Sequence, residues 1–197
     1  MKRTDLLNKY TLLLVISSMF FMNCENLFGT REPESPTEDK SNWVQPIIPE
    51  RVMENLRYSI QDGNILNYMK CFTDTLTRFK FIPDDLVKRN NMSFFEQWNL
   101  NSEQNYLSQV TLSTVDSLRK VVFYSSPRVD YQDSVLIKVN YELELRHNLG
   151  DLFPTIFKGQ TDFWLNTSNG EWYITTWIDY GIENDPSWSS VKVIFGK

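Results

Sequence analysis

The chain has 197 residues, 41% of them apolar and 23% charged, with a formal net charge of −5. That length and balance predict one globular domain plus attachments, and an acidic chain without a Lys/Arg cluster speaks against nucleic-acid binding. Two Cys and one His speak against structural zinc, and no cofactor is predicted. Aromatic residues reach 14% while Gly numbers only seven, so ring area alone can fill one core.

The first residues have their own chemistry. Lys2, Arg3 and Lys9 stand against Asp5, and Tyr10 to Met22 is uncharged. A spanning helix needs about 20 apolar residues, so this shorter run fits a signal-peptide core. It stops at Asn23-Cys24. A Cys directly after such a core resembles the lipobox of bacterial lipoproteins, with Asn23 where Gly, Ala or Ser is usual and Phe21 where Leu is usual. The resemblance implies a signal peptide over 1–23, a diacylglycerol on the Cys24 sulfur, cleavage before it and acylation of the new amine by a chain such as palmitate. It places the protein on a membrane of the bacterial cell envelope, leaflet unspecified. An ordinary secretory signal and an uncleaved anchor are the alternatives.

Residues 24–42 read as an acidic tether. Glu25 to Asn42 holds two prolines and five acids against two bases, with too little apolar surface to offset its ordering entropy. Loss of 1–23, which carry three bases and one acid, takes the formal charge from −5 to −7. Such a body is not drawn flat onto anionic lipid.

Residues 43–197 are the predicted folded body. Pro49-Glu50 opens a helix with an apolar stripe at Val52, Leu56 and Ile60; Asp62-Gly63-Asn64 interrupts it, and Ile65, Tyr68, Met69 and Phe72 resume it. Arg78 to Ile82 reads as a short strand, and Asp84 to Asn91 and Ser93 to Leu100 as helical pieces. Asn101-Ser102-Glu103 is expected to cap a third helix through Tyr106, Leu107 and Val110. After residue 112 the period changes to two. Ser113 to Tyr124 is a strand, Ser125 to Arg128 a turn, and Asp133 to Arg146 alternates strictly, Val135, Ile137, Val139, Tyr141, Leu143 and Leu145 pointing one way. His147 to Pro154 is a loop. Thr155 to Tyr180 is a long hairpin turning at Thr167-Ser168-Asn169-Gly170. Phe163 and Leu165 share one face of its first arm and Trp172, Ile174 and Ile178 one face of its second, with Trp164, Tyr173 and Trp177 opposite. Trp188 to Phe195 is expected as a final edge strand. The class is α+β: N-terminal helices packed on a curved, mainly antiparallel sheet of four to six strands.

This order resembles the nuclear-transport-factor-2-like (SnoaL-like, cystatin-like) superfamily, a cone-shaped α+β roll, and in particular bacterial envelope lipoproteins that carry it. The resemblance lies in P-E-R-V-M-E-N-L-R-Y-S-I-Q-D-G-N-I-L-N-Y-M-K-C-F at 49–72, F-K-F at 79–81, W-N-L-N-S-E-Q-N-Y-L at 98–107 and N-G-E-W-Y-I-T-T-W-I-D at 169–179. It implies a pocket between the helices and the concave sheet face. Its members include isomerases, dehydratases, cyclases and non-enzymatic binding or scaffold domains, so fold leaves function open.

Enzymatic members commonly place a carboxylate with a Tyr or His inside the cone. Asp162, beside Trp164, and Asp179, beside Trp177 and Tyr173, are the hairpin acids, and an Asp among aromatics can act as a general base. These five residues are the candidate pocket lining; the bland reading is core packing and ordinary hydrogen bonding. His147 reads as a solvated loop residue and Cys71 as a buried free thiol. No catalytic residue and no metal site is assigned. The leading expectation is a lipid-anchored, non-enzymatic binding or scaffold domain for a protein partner or small apolar ligand, with pairing into a homodimer. The alternatives are a hydratase or isomerase using an Asp in the cone, and a structural spacer.

Overall fold

Helix α1 (Pro49–Asp62) begins where proline predicts it, with Pro49 in its first turn, and ends on Gly63 at φ 65°. Glycine takes that left-handed conformation without a Cβ penalty, and its N–H closes the helix on the carbonyl of Ile60. Val52, Leu56 and Ile60 form the buried stripe. Asn64 then caps α2 (Ile65–Lys70) by accepting the Asn67 N–H at 3.0 Å. The Asp62-Gly63-Asn64 break is thus one helix stop joined to one helix start.

A computed structural model describes residues 42–73, 78–125 and 127–197. The signal peptide read at 1–23, Cys24, the tether up to Ser41, and Ser126 of the turn before Arg128 lie outside the described residues. Residues from Asn42 to Lys197 form a single unit. After α2 come β1 (Lys80–Ile82), α3 (Asp85–Asn90), α4 (Met92–Glu96) and α5 (Leu100–Ser113). The cap of α5 falls two residues earlier than Asn101: Asn99 accepts from the Asn101 and Ser102 amides, while the Ser102 hydroxyl accepts from the Asn99 N–H.

The strands are β2 (Thr114–Ser125), β3 (Val129–Asp130), β4 (Ser134–His147), β5 (Ile156–Ser168) and β6 (Glu171–Gly181). They form one sheet in the order β1-β6-β5-β4-β2, with β3 paired to β4. All pairs are antiparallel except β1 on β6. The sheet is curved and open, with helices packed on it, as expected of an α+β roll. All six inward residues of the β4 alternation, Val135 to Leu145, are buried.

Two expectations are corrected. Trp188 to Phe195 is a helix, α6, not an edge strand. Its buried residues Trp188, Val191, Lys192 and Phe195 recur at helical spacing. The second correction is a β-bulge in β6: Trp164 pairs with Thr176 but Leu165 with Ile174, so Thr175 is an extra residue. An extra residue reverses which way all later side chains point. Trp177 therefore lies fully buried on the same side as Ile174, while Ile178 is only partly buried.

Candidate functional site

The inward side of the roll is a packed interior containing two polar clusters. The first forms where β6 meets α6. Asp179 is buried, and its Oδ2 accepts the Ser189 N–H at 2.7 Å and the Ser189 hydroxyl at 2.5 Å. Its Oδ1 accepts the Tyr141 hydroxyl at 2.8 Å. The same tyrosine oxygen accepts the Trp188 N–H at 2.6 Å. Amides of the first helical turn lack intrahelical partners, and the dipole there favours negative charge. A strand carboxylate and a strand phenol thus cap α6 from outside it. Burial pushes the Asp179 carboxyl up, against the hydrogen bonds from Ser189 and Tyr141. Burial, then the Asp179 charge, pushes the Tyr141 phenol well up. Gly159 faces Tyr141 across the β4–β5 ladder. A Cβ there would collide with the Tyr141 ring and hydroxyl, so glycine leaves the space through which that phenol reaches Asp179.

The second cluster joins α2, α5 and α6. Glu103 and Lys192 are both fully buried and form an ion pair. Glu103 also accepts from the Tyr68 hydroxyl at 2.7 Å and from Trp98 Nε1 at 2.6 Å. The Lys192 ammonium stands 4.0 Å from the ring centre of Trp177, 4.1 Å from Phe81, and 5.1 Å from both Trp98 and Tyr106. Its charge is held by one carboxylate and a cage of four ring faces. Burial pushes its pKa down to about 8 despite the pull of Glu103 and Asp179 in the other direction. Burial, then Glu103, pushes Tyr68 well up. Trp188 Nε1 donates to the Tyr106 hydroxyl at 2.9 Å, which ties the cage to the first cluster.

Of the five hairpin candidates, Trp177 and Asp179 face this interior. Asp162 and Trp164 do not: Asp162 pairs with Lys138 at 3.3 Å on the other side of the sheet, and Trp164 packs on Tyr131 with ring centres 5.2 Å apart. Alternation puts Asp162 opposite Phe163 and Thr161, which are buried inward. Tyr173 lies half-buried at the rim, donating to Glu171 at 2.7 Å. Sequence reading placed Tyr68 and Tyr141 on apolar faces and Glu103 in a helix cap without giving them a part in a site, and did not single out Lys192 or Ser189. One signal was available: Lys192 sits in V-K-V-I-F at the helical spacing of Trp188, Val191 and Phe195.

His147 ends β4, where its Nε2 lies 3.0 Å from the Pro154 carbonyl. Cys71 is a buried free thiol, its pKa raised by burial. Clefts also open from the surface, the first of them onto the inward face of the sheet at Ile137 and Val139. One of about 400 Å³ lies between α1 and the sheet, with Met53, Phe123, Ile137 and Val139 as its apolar wall and Arg57 and Arg128 at its lip. Another, of about 560 Å³, lies by Trp43, Leu66, Met69 and Tyr173. No helix among the described residues is long and apolar enough to cross a membrane.

No family model and no curated protein matches the chain. Solved structures do. A Mycobacterium tuberculosis protein of unknown function is 12% identical, over 75% of this chain and 83% of that one, at a TM-score of 0.52. A Novosphingobium aromaticivorans protein provisionally described as an aromatic ring hydroxylase is 11% identical, over 76% and 93%, also at 0.52. A nuclear-transport-factor-2-like protein from Cytophaga hutchinsonii is 12% identical, over 68% and 95%, at 0.48. At such identity the first two likenesses, with TM-scores above 0.5, are of fold alone, and the fold itself is the α+β roll expected from the sequence.

Proposed function

We propose that this chain is a lipid-anchored, non-enzymatic protein of the bacterial cell envelope, whose roll recognises a partner by its outer surfaces. One observation carries the non-enzymatic part. Among the described residues, the acids inside the roll, Asp179 and Glu103, are sealed from solvent and already hold donors from the roll itself, Asp179 from Ser189 and Tyr141, Glu103 from Lys192, Tyr68 and Trp98. A general base must reach the proton that it removes. These carboxylates hold α6 in place instead. The surface clefts and the outer sheet face are left as recognition surfaces, for a protein, a small apolar ligand, or a second copy pairing through the sheet.

Sealing is measurable. Brief acetylation of the native protein, read by mass spectrometry, should modify Lys158 at least about a hundredfold faster than Lys192, because a buried amine reacts only through opening of the structure. Comparable rates would return the interior to contention as a reaction chamber. Anchoring is tested separately: a fatty-acid analogue should label the wild type and not Cys24→Ser, and equal labelling ends that part of the proposal. Sedimentation of the full chain in detergent tests pairing, which a monomer at high concentration refutes.

A second reading, a hydratase or isomerase, draws on the placement of Asp179 beside Tyr141 with its carboxyl pKa raised. It requires α6 to leave the cone, and acetylation of Lys192 at a rate comparable with that of Lys158 would be its first sign.

A further inference from the structure

We propose that the turn between β4 and β5 is a membrane-contact tip, with Leu149, Leu152 and Phe153 set into the headgroup region of the bilayer that carries the anchor. The inference rests on the lipid-anchor reading above.

Large apolar side chains gather at this end of the roll. Leu152 is 95% exposed and Leu112, at the end of α5, 77%; Leu149, Phe153 and Ile156 are also exposed. Single exposed hydrophobics are ordinary, but several on one prominence mark a contact surface. The turn is also built to hold its shape. His147 Nε2 meets the Pro154 carbonyl, the Asn148 N–H donates to Ser113 at 3.1 Å, and the Leu145 N–H donates to Thr155 at 2.8 Å. Gly150 takes φ 91°, open to glycine alone at little cost. The apolar tip is therefore presented by the ends of two long strands and requires little ordering on contact.

The position where the body begins identifies the occupant. Asn42 donates to Asp62, the last residue of α1, at 2.9 Å. The end of α1 is held by Arg119, which donates to the Ile60 carbonyl at 3.1 Å and to the Thr114 hydroxyl at 3.0 Å. Thr114 pairs with His147, the first support of the tip. The first body residue and the apolar tip thus lie at the same end of the roll. From Cys24 to Asn42 is a stretch of 18 residues, which spans at most about 65 Å. A body on such a leash meets the surface at a high effective concentration, so a weak apolar contact is populated. Charge does not supply the contact: the body is acidic and the tip carries Asp151. The lipid favoured is therefore zwitterionic rather than anionic.

The test uses the full acylated chain in phosphatidylcholine vesicles with brominated acyl chains. Leu152→Cys carries an environment-sensitive fluorophore, and Ser168→Cys, at the far end of β5, is the control. Cys71 is buried, and an acylated Cys24 does not take the dye. Bromine should quench the probe at 152 about threefold more than the probe at 168, since a contact of this kind reaches only the headgroup and upper acyl region. A Phe153→Asp change should remove the difference. Equal quenching at both positions overturns the tip while leaving the anchor intact. A blue-shifted but unquenched probe at 152 also overturns it, showing tips meeting each other. Dye on Cys24 together with loss of the protein from the vesicles overturns anchor and tip alike.

Discussion

Lys192 and Glu103 are worth little to stability as a pair and a great deal as halves. Two buried charges lose much of their attraction to desolvation, whereas one left alone keeps the whole penalty. Lys192→Met fills the four-ring cage with a flexible apolar chain but strands Glu103, and should cost about 3 kcal/mol in urea unfolding. Adding Glu103→Gln keeps an acceptor oxygen for the Trp98 indole, turns an amide donor toward the Tyr68 hydroxyl oxygen and removes the stranded charge, and should recover at least about 1 kcal/mol. Additive losses in this cycle would mean that the two residues do not sense each other. Titration is a second check. The Lys192 pKa falls from 10.5 to about 8 on folding, so between those values the unfolded chain binds the extra proton and stability rises with pH, by up to about 1.4 kcal/mol per unit. The phenols of Tyr68, Tyr106 and Tyr141 are raised from 10.0. Their contribution is complete below that value and is lost above it. The urea midpoint should therefore climb from pH 8 towards 10 and fall beyond, and Lys192→Met should abolish the climb.

At the scale of elements, the bulge in β6 decides what the interior contains. Helix α1, its glycine stop and the alternating strand β4 were legible because each is written in neighbouring residues, by a period of 3.6 or of two. Nothing local announces that Thr175 is an extra residue. Its hydroxyl, bonded to the Trp164 carbonyl at 3.2 Å and to Asn166 at 2.8 Å, is satisfied only once β5 lies alongside. Strict alternation therefore sent Ile178 to the wrong side of the hairpin and left Trp177 opposite Ile174. Deleting Thr175 should force half of β6 inside out and abolish soluble expression, whereas Thr175→Gly keeps the residue count and should fold with a loss of about 1–2 kcal/mol. Normal folding of the deletion would show that the pairing does not depend on that extra residue.

For the whole molecule, α6 closes the roll. It brings Trp188 and Lys192 into the interior and is held by two acids from elsewhere in the chain, Asp179 and Glu103. A chain ending at Pro186 would expose Trp177, Phe81 and Tyr106 and leave both acids without their α6 donors. It should keep far-ultraviolet dichroism, lose its near-ultraviolet signal and bind a hydrophobic dye; a fully native near-ultraviolet spectrum would show α6 to be an accessory. By itself the sequence determined the class of fold, helices before an antiparallel meander, because periodicity and turn chemistry act over a few residues. Tertiary structure alone decided which acids went inside and whether the cone was hollow. Glu103 and Lys192 stand 89 positions apart. Whether a carboxylate faces water or an ammonium is a matter of desolvation, which exists only once distant elements have closed around it.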